Sequence, residues 1–378
     1  MKSWYLICIL TLVFFADPAQ AQSLSETSRS LRALGMGGVY IPFVSGADAV
    51  FYNPAALGRV SGLDIKLASV SVGGGSTSDL TQATLQELQN IDPNNPSTFN
   101  NLFGKRIWLQ ATGKVAVALP YFGVGYLTDY ETSLELHNPA YPEFDTYFRN
   151  DTAFYLGGAV PLGPTSYLGM SLKRINRWGG NSQSLGLSTV SNASSITDIG
   201  NQFDQKGQGY GVDLAAMTEI PLPLLKPTFA LVWQDAGSTS FTKTSGTDAP
   251  PHIEQNLSFG AGVALDLPGL DLAVGGELRH LLEPDIQAGK KLHLGAEVSL
   301  PVIDLRAGYG QGYLSYGVGL NLLIFHIDAV SYTEELGVYP GQTAENRVMV
   351  GLSIDLSFDA DFKFTDNNGK KRKVKQRR

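Results

Sequence analysis

From about residue 62 to residue 358 the chain alternates apolar and polar positions with a period of two. This is the repeat of a β-strand, whose successive side chains point to opposite faces. In residues 291–300, Leu292, Leu294, Ala296, Val298 and Leu300 share one face, and His293, Gly295, Glu297 and Ser299 share the other. Residues 348–358 repeat the pattern: Val348, Val350, Leu352, Ile354, Leu356 and Phe358 oppose Met349, Gly351, Ser353, Asp355 and Ser357. Segments 270–278, 210–220, 316–324 and 63–67 behave alike. The pattern predicts fourteen strands, at 63–74, 107–119, 122–136, 146–160, 165–178, 207–220, 227–236, 255–266, 269–281, 290–300, 303–310, 313–323, 324–335 and 346–358. Alternation alone also suits a soluble β-sandwich or barrel whose polar face meets water.

The links between strands narrow that choice. After even-numbered predicted strands they are tight: 120–121, 161–164, 221–226, 267–268, 301–302 and a reversal near Leu323. Proline recurs in them because it cannot donate to a ladder and suits turns. After odd-numbered strands they are long, at 75–106, 137–145, 179–206, 237–254, 282–289 and 336–345, with a short exception at Gln311-Gly312. Short turns on one side and long loops on the other are the plan of an outer-membrane barrel. The predicted fold class is therefore all-β, a fourteen-stranded antiparallel transmembrane β-barrel with both termini on the periplasmic, short-turn side. Trp108 and Trp178 are expected near the outer interface, where amphipathic aromatics gather, with ordinary core packing as the other reading. In the first long loop, residues 78–91 carry Leu80, Leu85, Leu88 and Ile91 near helical spacing after a Ser-Asp start, which predicts a short surface helix.

The ends of the chain add location. Lys2 precedes an apolar run over residues 4–16, followed by Ala19-Gln20-Ala21, a small-x-small cleavage site. Residues 1–21 read as a signal peptide, and the run is too short to span a bilayer as a helix. Cys8, the only cysteine, lies in that leader, so the mature chain is expected to hold no disulfide, thiol nucleophile or cysteine metal ligand. Export without disulfides, only 17% charged residues and 42 glycines suit the outer membrane of a diderm bacterium. Residues 349–358 end on an aromatic, like a terminal-strand assembly signal, yet a tail of 20 residues, 359–378, follows. Its eight basic and three acidic residues give it about +5, leaving about −12 for the rest of a chain whose formal charge is −7. Such a tail reads either as a solvated extension or as a segment drawn to anionic headgroups or an acidic periplasmic partner. The secretory leader argues against nucleic acid.

Residues 22–62 are too many for a lead-in to the first strand. Gly35, Gly37 and Gly38 permit close backbone approach, Asn53-Pro54 favours a turn, and Pro54-Ala55-Ala56-Leu57 can open a short helix. This mixture predicts a segment folded inside the barrel as a plug, or hatch. It is no phosphate loop, because no strand precedes Gly35-Met-Gly-Gly and no Lys-Ser/Thr follows. Leu34-Gly-Met-Gly-Gly38, Asp48 and Asn53-Pro54-Ala55 ahead of fourteen strands resemble the FadL/TodX superfamily of outer-membrane transporters for long-chain fatty acids and hydrocarbons. The resemblance implies a fourteen-stranded barrel closed by an N-terminal hatch built on Gly35, Gly37, Gly38, Asp48, Asn53, Pro54 and Ala55. Four C-terminal segments, 291–297, 305–313, 332–337 and 345–347, look like the PorV-type branch, which includes components of type IX secretion. The basic tail departs from the usual pattern of a barrel ending at its last strand.

No catalytic chemistry stands out. His137, His252, His280, His293 and His326 are scattered without metal-ligand spacing, and no serine, histidine and acid set is apparent. Neither an enzyme, a cofactor nor a metal is expected. Lys173, Asp213, Glu277, Arg279, His293, Glu297, Arg306 and Asp328 fall on predicted lumenal faces or strand ends. They read as a ladder of opposite charges stiffening the barrel, or as a polar track leading a carboxylate headgroup past Arg279, Arg306 or Lys173. The leading functional expectation is passive uptake of a hydrophobic small molecule such as a fatty acid or hydrocarbon, driven by about 0.8 kcal/mol per buried methylene. The alternative is a PorV-like assembly or secretion factor holding a secreted or periplasmic protein, and a third is a structural barrel without transport. A transporter predicts an apolar cavity running from the 75–106 and 179–206 loops to the hatch. An assembly factor predicts a sealed lumen and an exposed apolar patch on the loops.

Overall fold

The computed structural model describes residues 30–75, 81–92, 94–138, 140–193, 196–222 and 225–358. The predicted signal peptide and basic tail lie outside these residues, as do residues 22–29. Among the described residues there are fifteen strands: β1 (Leu63–Gly75), β2 (Arg106–Leu119), β3 (Phe122–His137), β4 (Glu143–Pro161), β5 (Ser166–Gly186), β6 (Lys206–Glu219), β7 (Leu225–Gln234), β8 (Phe241–Ser245), β9 (Asn256–Leu267), β10 (Leu270–Leu278), β11 (Leu292–Ser299), β12 (Ile303–Gly310), β13 (Tyr313–Leu322), β14 (Phe325–Glu335) and β15 (Ala344–Phe358).

Fourteen of them form a closed antiparallel ring in chain order, with β7 passing directly to β9 and β15 returning to β1. The closing seam runs from Leu63 opposite Phe358 to Gly75 opposite Arg347. Closure leaves no free edge, which is what permits a sheet to sit in lipid. The added strand β8 belongs to the long connection between β7 and β9. The ladder of β7 covers Leu214–Glu219 of β6, and β8 takes over on Lys206–Gly209, so backbone groups above the end of β7 still find partners. That hairpin left no clear alternation in the sequence.

The ring has its apolar residues outside and its charges within. His293 and Glu297 on β11 are 4% and 5% exposed, whereas Leu292 and Leu294, on either side of His293, are 37% and 47% exposed. A water-soluble barrel buries its apolar face, so this inversion argues for a lipid surround. Wall height is uneven. β4 and β5 extend past their predicted ends, to 19 and 21 residues, while β12 has 8 and β13 has 10. The tall side carries the long loops. There a helix over Gln82–Gln89, capped by Thr81 rather than by the expected Ser-Asp pair, joins Phe99, Leu102, Phe148, Leu187, Val190 and Phe203 in a separate apolar core. Leu88 of that helix and Ile91 just beyond it turn into that core.

Candidate functional site

The segment ahead of β1 packs against lumen-facing residues around most of the ring. It comprises a turn of helix at Leu31–Gly35, a 3-10 turn at Gly46–Asp48, a helix at Ala49–Tyr52 and a 3-10 helix at Pro54–Arg59. Asn53 organises the second half. Its side-chain Oδ1 accepts from Ala55 N at 3.1 Å, capping the 3-10 helix, and its side-chain Nδ2 donates to Ile41 O at 2.9 Å. Pro54 occupies the first helical turn, where its missing donor costs nothing. Val50, Phe51, Ala55 and Leu57 are buried in one apolar cluster with Leu127, Tyr155, Ile175 and Met217 of the wall.

Glycines on the strands make room for this backbone. A Cβ at Gly169 of β5 would fall on Pro54 C and Ala55 N, and one at Gly308 of β12 would fall on Met36 C and Gly37 N. Gly37 itself has φ +66 and Gly38 φ +100, the left-handed region that side chains disfavour.

The first half of the segment is held by polar contacts instead. Arg32 makes a bidentate pair with Glu297, at 2.9 and 2.6 Å. Glu277 accepts from Tyr40 N and from Ile41 N, the latter at 2.6 Å. His293 Nδ1 lies 2.6 Å from Gly37 O, Arg279 donates to Gly38 O, and Gly37 N donates to Ser315 Oγ at 2.9 Å. Asp48 accepts from the Tyr40 hydroxyl at 3.3 Å and faces Lys66 at 3.6 Å. Burial, reinforced by Asp48, pushes the Tyr40 hydroxyl above its ordinary range, so it serves as a neutral donor.

The lumenal charges form several groups rather than one track. Arg306 reaches Glu297 at 2.6 Å, Asp328 at 2.5 Å and Asp304 at 3.0 Å. Lys173 sits between Asp213 and Asp235, 2.8 Å from each, and Thr239 donates to Asp235 at 2.5 Å. Arg279 lies 3.0 Å from Glu277. All three cations proposed as a carboxylate track are thus occupied by acidic groups of the protein. A further set lies towards the tall wall: Arg149 with Asp129 and Glu131, Arg177 with Asp151, and Arg347 with Glu334. Trp108 belongs here, a correction to its expected place at the outer interface. It is 1% exposed, donates to Glu131 at 2.8 Å and lies under the Arg347 guanidinium at 4.1 Å. It shares the parity of Gln110, Thr112 and Lys114, and that parity faces the lumen.

Where the Gly35–Gly38 backbone meets the low wall, a cavity of about 40 Å³ is lined by Leu34, Arg279, His293, Gln311, Tyr313 and Glu334, among others. That volume suits a water molecule or two, and is far below that of a drug-sized pocket. It is not the apolar passage expected of an open transporter. Among the described residues no group of His, Cys, Asp and Glu could hold a metal ion.

No family model and no curated protein matches the sequence. Among solved structures, a TodX monoaromatic hydrocarbon channel, the deltaS2 mutant, superposes with a TM-score of 0.51 at 10% identity, covering 87% of this chain and 99% of that one. The two share a fold. Also similar are the Pseudomonas putida toluene transporter TodX (TM-score 0.48, 10% identity, 90% and 100% covered) and the Ralstonia pickettii toluene transporter TbuX (0.46, 12%, 87% and 98%). Within this TodX-type fold, sequence reasoning had overlooked Arg32, Tyr40, Lys66 and Lys114 as contacts between the segment and the wall. Lys114 donates to the Tyr52 hydroxyl at 2.8 Å. A signal was present: glycines on the lumenal parity of strands, as at Gly169 and Gly308, mark where another backbone passes.

Proposed function

We propose that this protein is a bacterial outer-membrane barrel for passive uptake of hydrophobic small molecules, with residues 30–60 as its hatch and both termini periplasmic. The observation that carries the reading is the polypeptide segment lodged across the lumen of a lipid-exposed fourteen-stranded ring. A permanent stopper has no need of two kinds of attachment. Here residues 49–57 supply most of the apolar burial, while residues 32–41 make most of the hydrogen bonds and ion pairs to the wall. Residues 32–41 are the part suited to opening. The fold shared with a monoaromatic hydrocarbon channel supports the substrate class, and long-chain fatty acids are the finer alternative within it.

The test is uptake by a deletion strain, with labelled toluene and a labelled long-chain fatty acid, together with native mass spectrometry of protein purified in a detergent unlike lipid. Reduced uptake and a copurifying amphiphile support the reading. Unchanged uptake of both compounds with no bound amphiphile overturns it. One observation favours a second reading, in which the barrel is a PorV-like factor holding a protein partner: charge clusters and the loop core fill the tall side, and the cavity beside the segment is only about 40 Å³. In that case a protein copurifies in place of an amphiphile.

A further inference from the structure

Among the described ring strands, cations reach the outward, largely apolar face at one place. On β5 and β6, beyond the belt of Leu168, Met170, Leu172 and Leu214, three register pairs alternate with the buried Lys173, Ile175 and Arg177: Arg174 opposite Tyr210, Asn176 opposite Gln208, and Trp178 opposite Lys206. Among the described ring-strand residues, Arg174 and Lys206 are the cations on this outward parity. Among the described residues neither has a carboxylate within ion-pair distance. Arg174 donates to Gln208 Oε1 at 2.9 Å, and Gln208 in turn donates to the Tyr210 hydroxyl at 2.5 Å. Lys206 Nζ lies 4.3 Å from the Trp178 ring centroid, and that ring is fixed by its own donation to Phe203 O at 2.6 Å. Asp204, the acid nearest Lys206 in the chain, is turned onto Thr247, accepting from its amide at 2.9 Å and its hydroxyl at 2.5 Å.

The contrast with the lumen is the argument. Inside, Arg149, Lys173, Arg177, Arg306 and Arg347 each meet at least one carboxylate. Outside, two cations stand without one among the described residues, directly above an apolar belt, at the height where long basic side chains, amides and amphipathic aromatics meet headgroups. An unpaired cation at a bilayer face is costly unless an anion from the membrane meets it. Lys206 and Tyr210 are four residues apart, so the backbone positions of the two cations are about 13 Å apart at strand spacing, with Asn176 and Gln208 between them and the Arg174 guanidinium leaning onto Gln208. That order suits a headgroup with two anionic groups joined by a hydroxyl-rich spacer.

We propose that this face binds a phosphorylated glycolipid of the leaflet at the long-loop end. One phosphate meets Arg174 and the other Lys206, the sugar hydroxyls meet Asn176 and Gln208, and the acyl chains run down Leu168, Met170 and Leu172. The inference rests on the membrane-barrel reading above, but not on what passes through the barrel. The test uses the full chain in neutral detergent, mixed with bisphosphorylated lipid A, its monophosphorylated form, or phosphatidylglycerol, with bound lipid counted by native mass spectrometry. The wild type is expected to retain bisphosphorylated lipid A about tenfold better than the Arg174→Gln/Lys206→Gln double variant, as two charge-assisted contacts are lost. Each single variant, and the monophosphorylated lipid on the wild type, should fall between. Equal retention by wild type and double variant overturns the proposal, as does phosphatidylglycerol retained as well as the glycolipid. Insertion of the same proteins into liposomes, read by heat-dependent gel mobility, separates the two readings. A chain that does not insert overturns the membrane reading itself, and one that inserts but retains lipid equally overturns this site alone.

Discussion

Asn53 shows how much one side chain can organise in this interior. It is fully buried, caps the 3-10 helix that follows it and ties that helix to Ile41 twelve residues earlier. Asn53→Ala removes both bonds and leaves Ile41 O without this donor, which should cost about 1–3 kcal/mol. Thermal unfolding followed by gel mobility should then show a lower midpoint; an unchanged midpoint would reject the role. Gly169 tests the opposite error. A Cβ there meets backbone atoms, which cannot swing aside as a side chain would. Gly169→Val should leave the ring intact but displace Pro54-Ala55, raising single-channel conductance in planar bilayers. The Asn-Pro-Ala triplet could be read from the sequence because turn and capping chemistry is local. Arg32 and Lys66 could not, since their partners Glu297 and Asp355 lie 265 and 289 positions away.

Among the elements, the strands were legible and their lengths less so. Period-two alternation located every ring strand, because a lipid face and a lumen face impose opposite demands on neighbouring residues. β4 and β5 outrun their predicted ends because above the membrane the lipid demand disappears and alternation fades. β8 is short and mostly exposed, so it carried almost no pattern. The N-terminal segment behaves as two elements with different chemistry. Arg32→Met removes the bidentate contact with Glu297 while sparing the apolar half. Limited proteolysis should then cut near residues 31–41 faster than in the wild type, with residues 49–60 still protected; uniform protection of both would count against separate attachment. Deleting residues 22–58 removes both halves and should raise small-solute leakage well above that of Arg32→Met, and equal leakage would reject a hatch.

At the scale of the molecule, charge lies mostly inside and is already paired there. Buried ion pairs are screened far less by salt than exposed ones. The unfolding midpoint should therefore move little between low and high ionic strength, whereas a barrel held by surface pairs would weaken as salt rises. Scanning calorimetry in two salt concentrations distinguishes these outcomes. The parity of the links also disclosed that the long loops gather at one end of the ring and the short turns at the other, while the packing of the lumen, which depends on contacts between distant strands, emerged only in three dimensions.

The closing seam bears on how the molecule is made. Residues 31–41 precede every strand, yet their partners Glu277, His293, Glu297 and Ser315 belong to β10, β11 and β13, among the last to be synthesised. The ring shuts only when β15 reaches β1. A finished barrel offers the segment no side door, and its glycine cradle exists only once the late strands are paired. Insertion and enclosure are therefore one event: the chain's earliest described residues wait for its last strands, and whatever machine seats the barrel must close it around a guest that is already part of the same molecule.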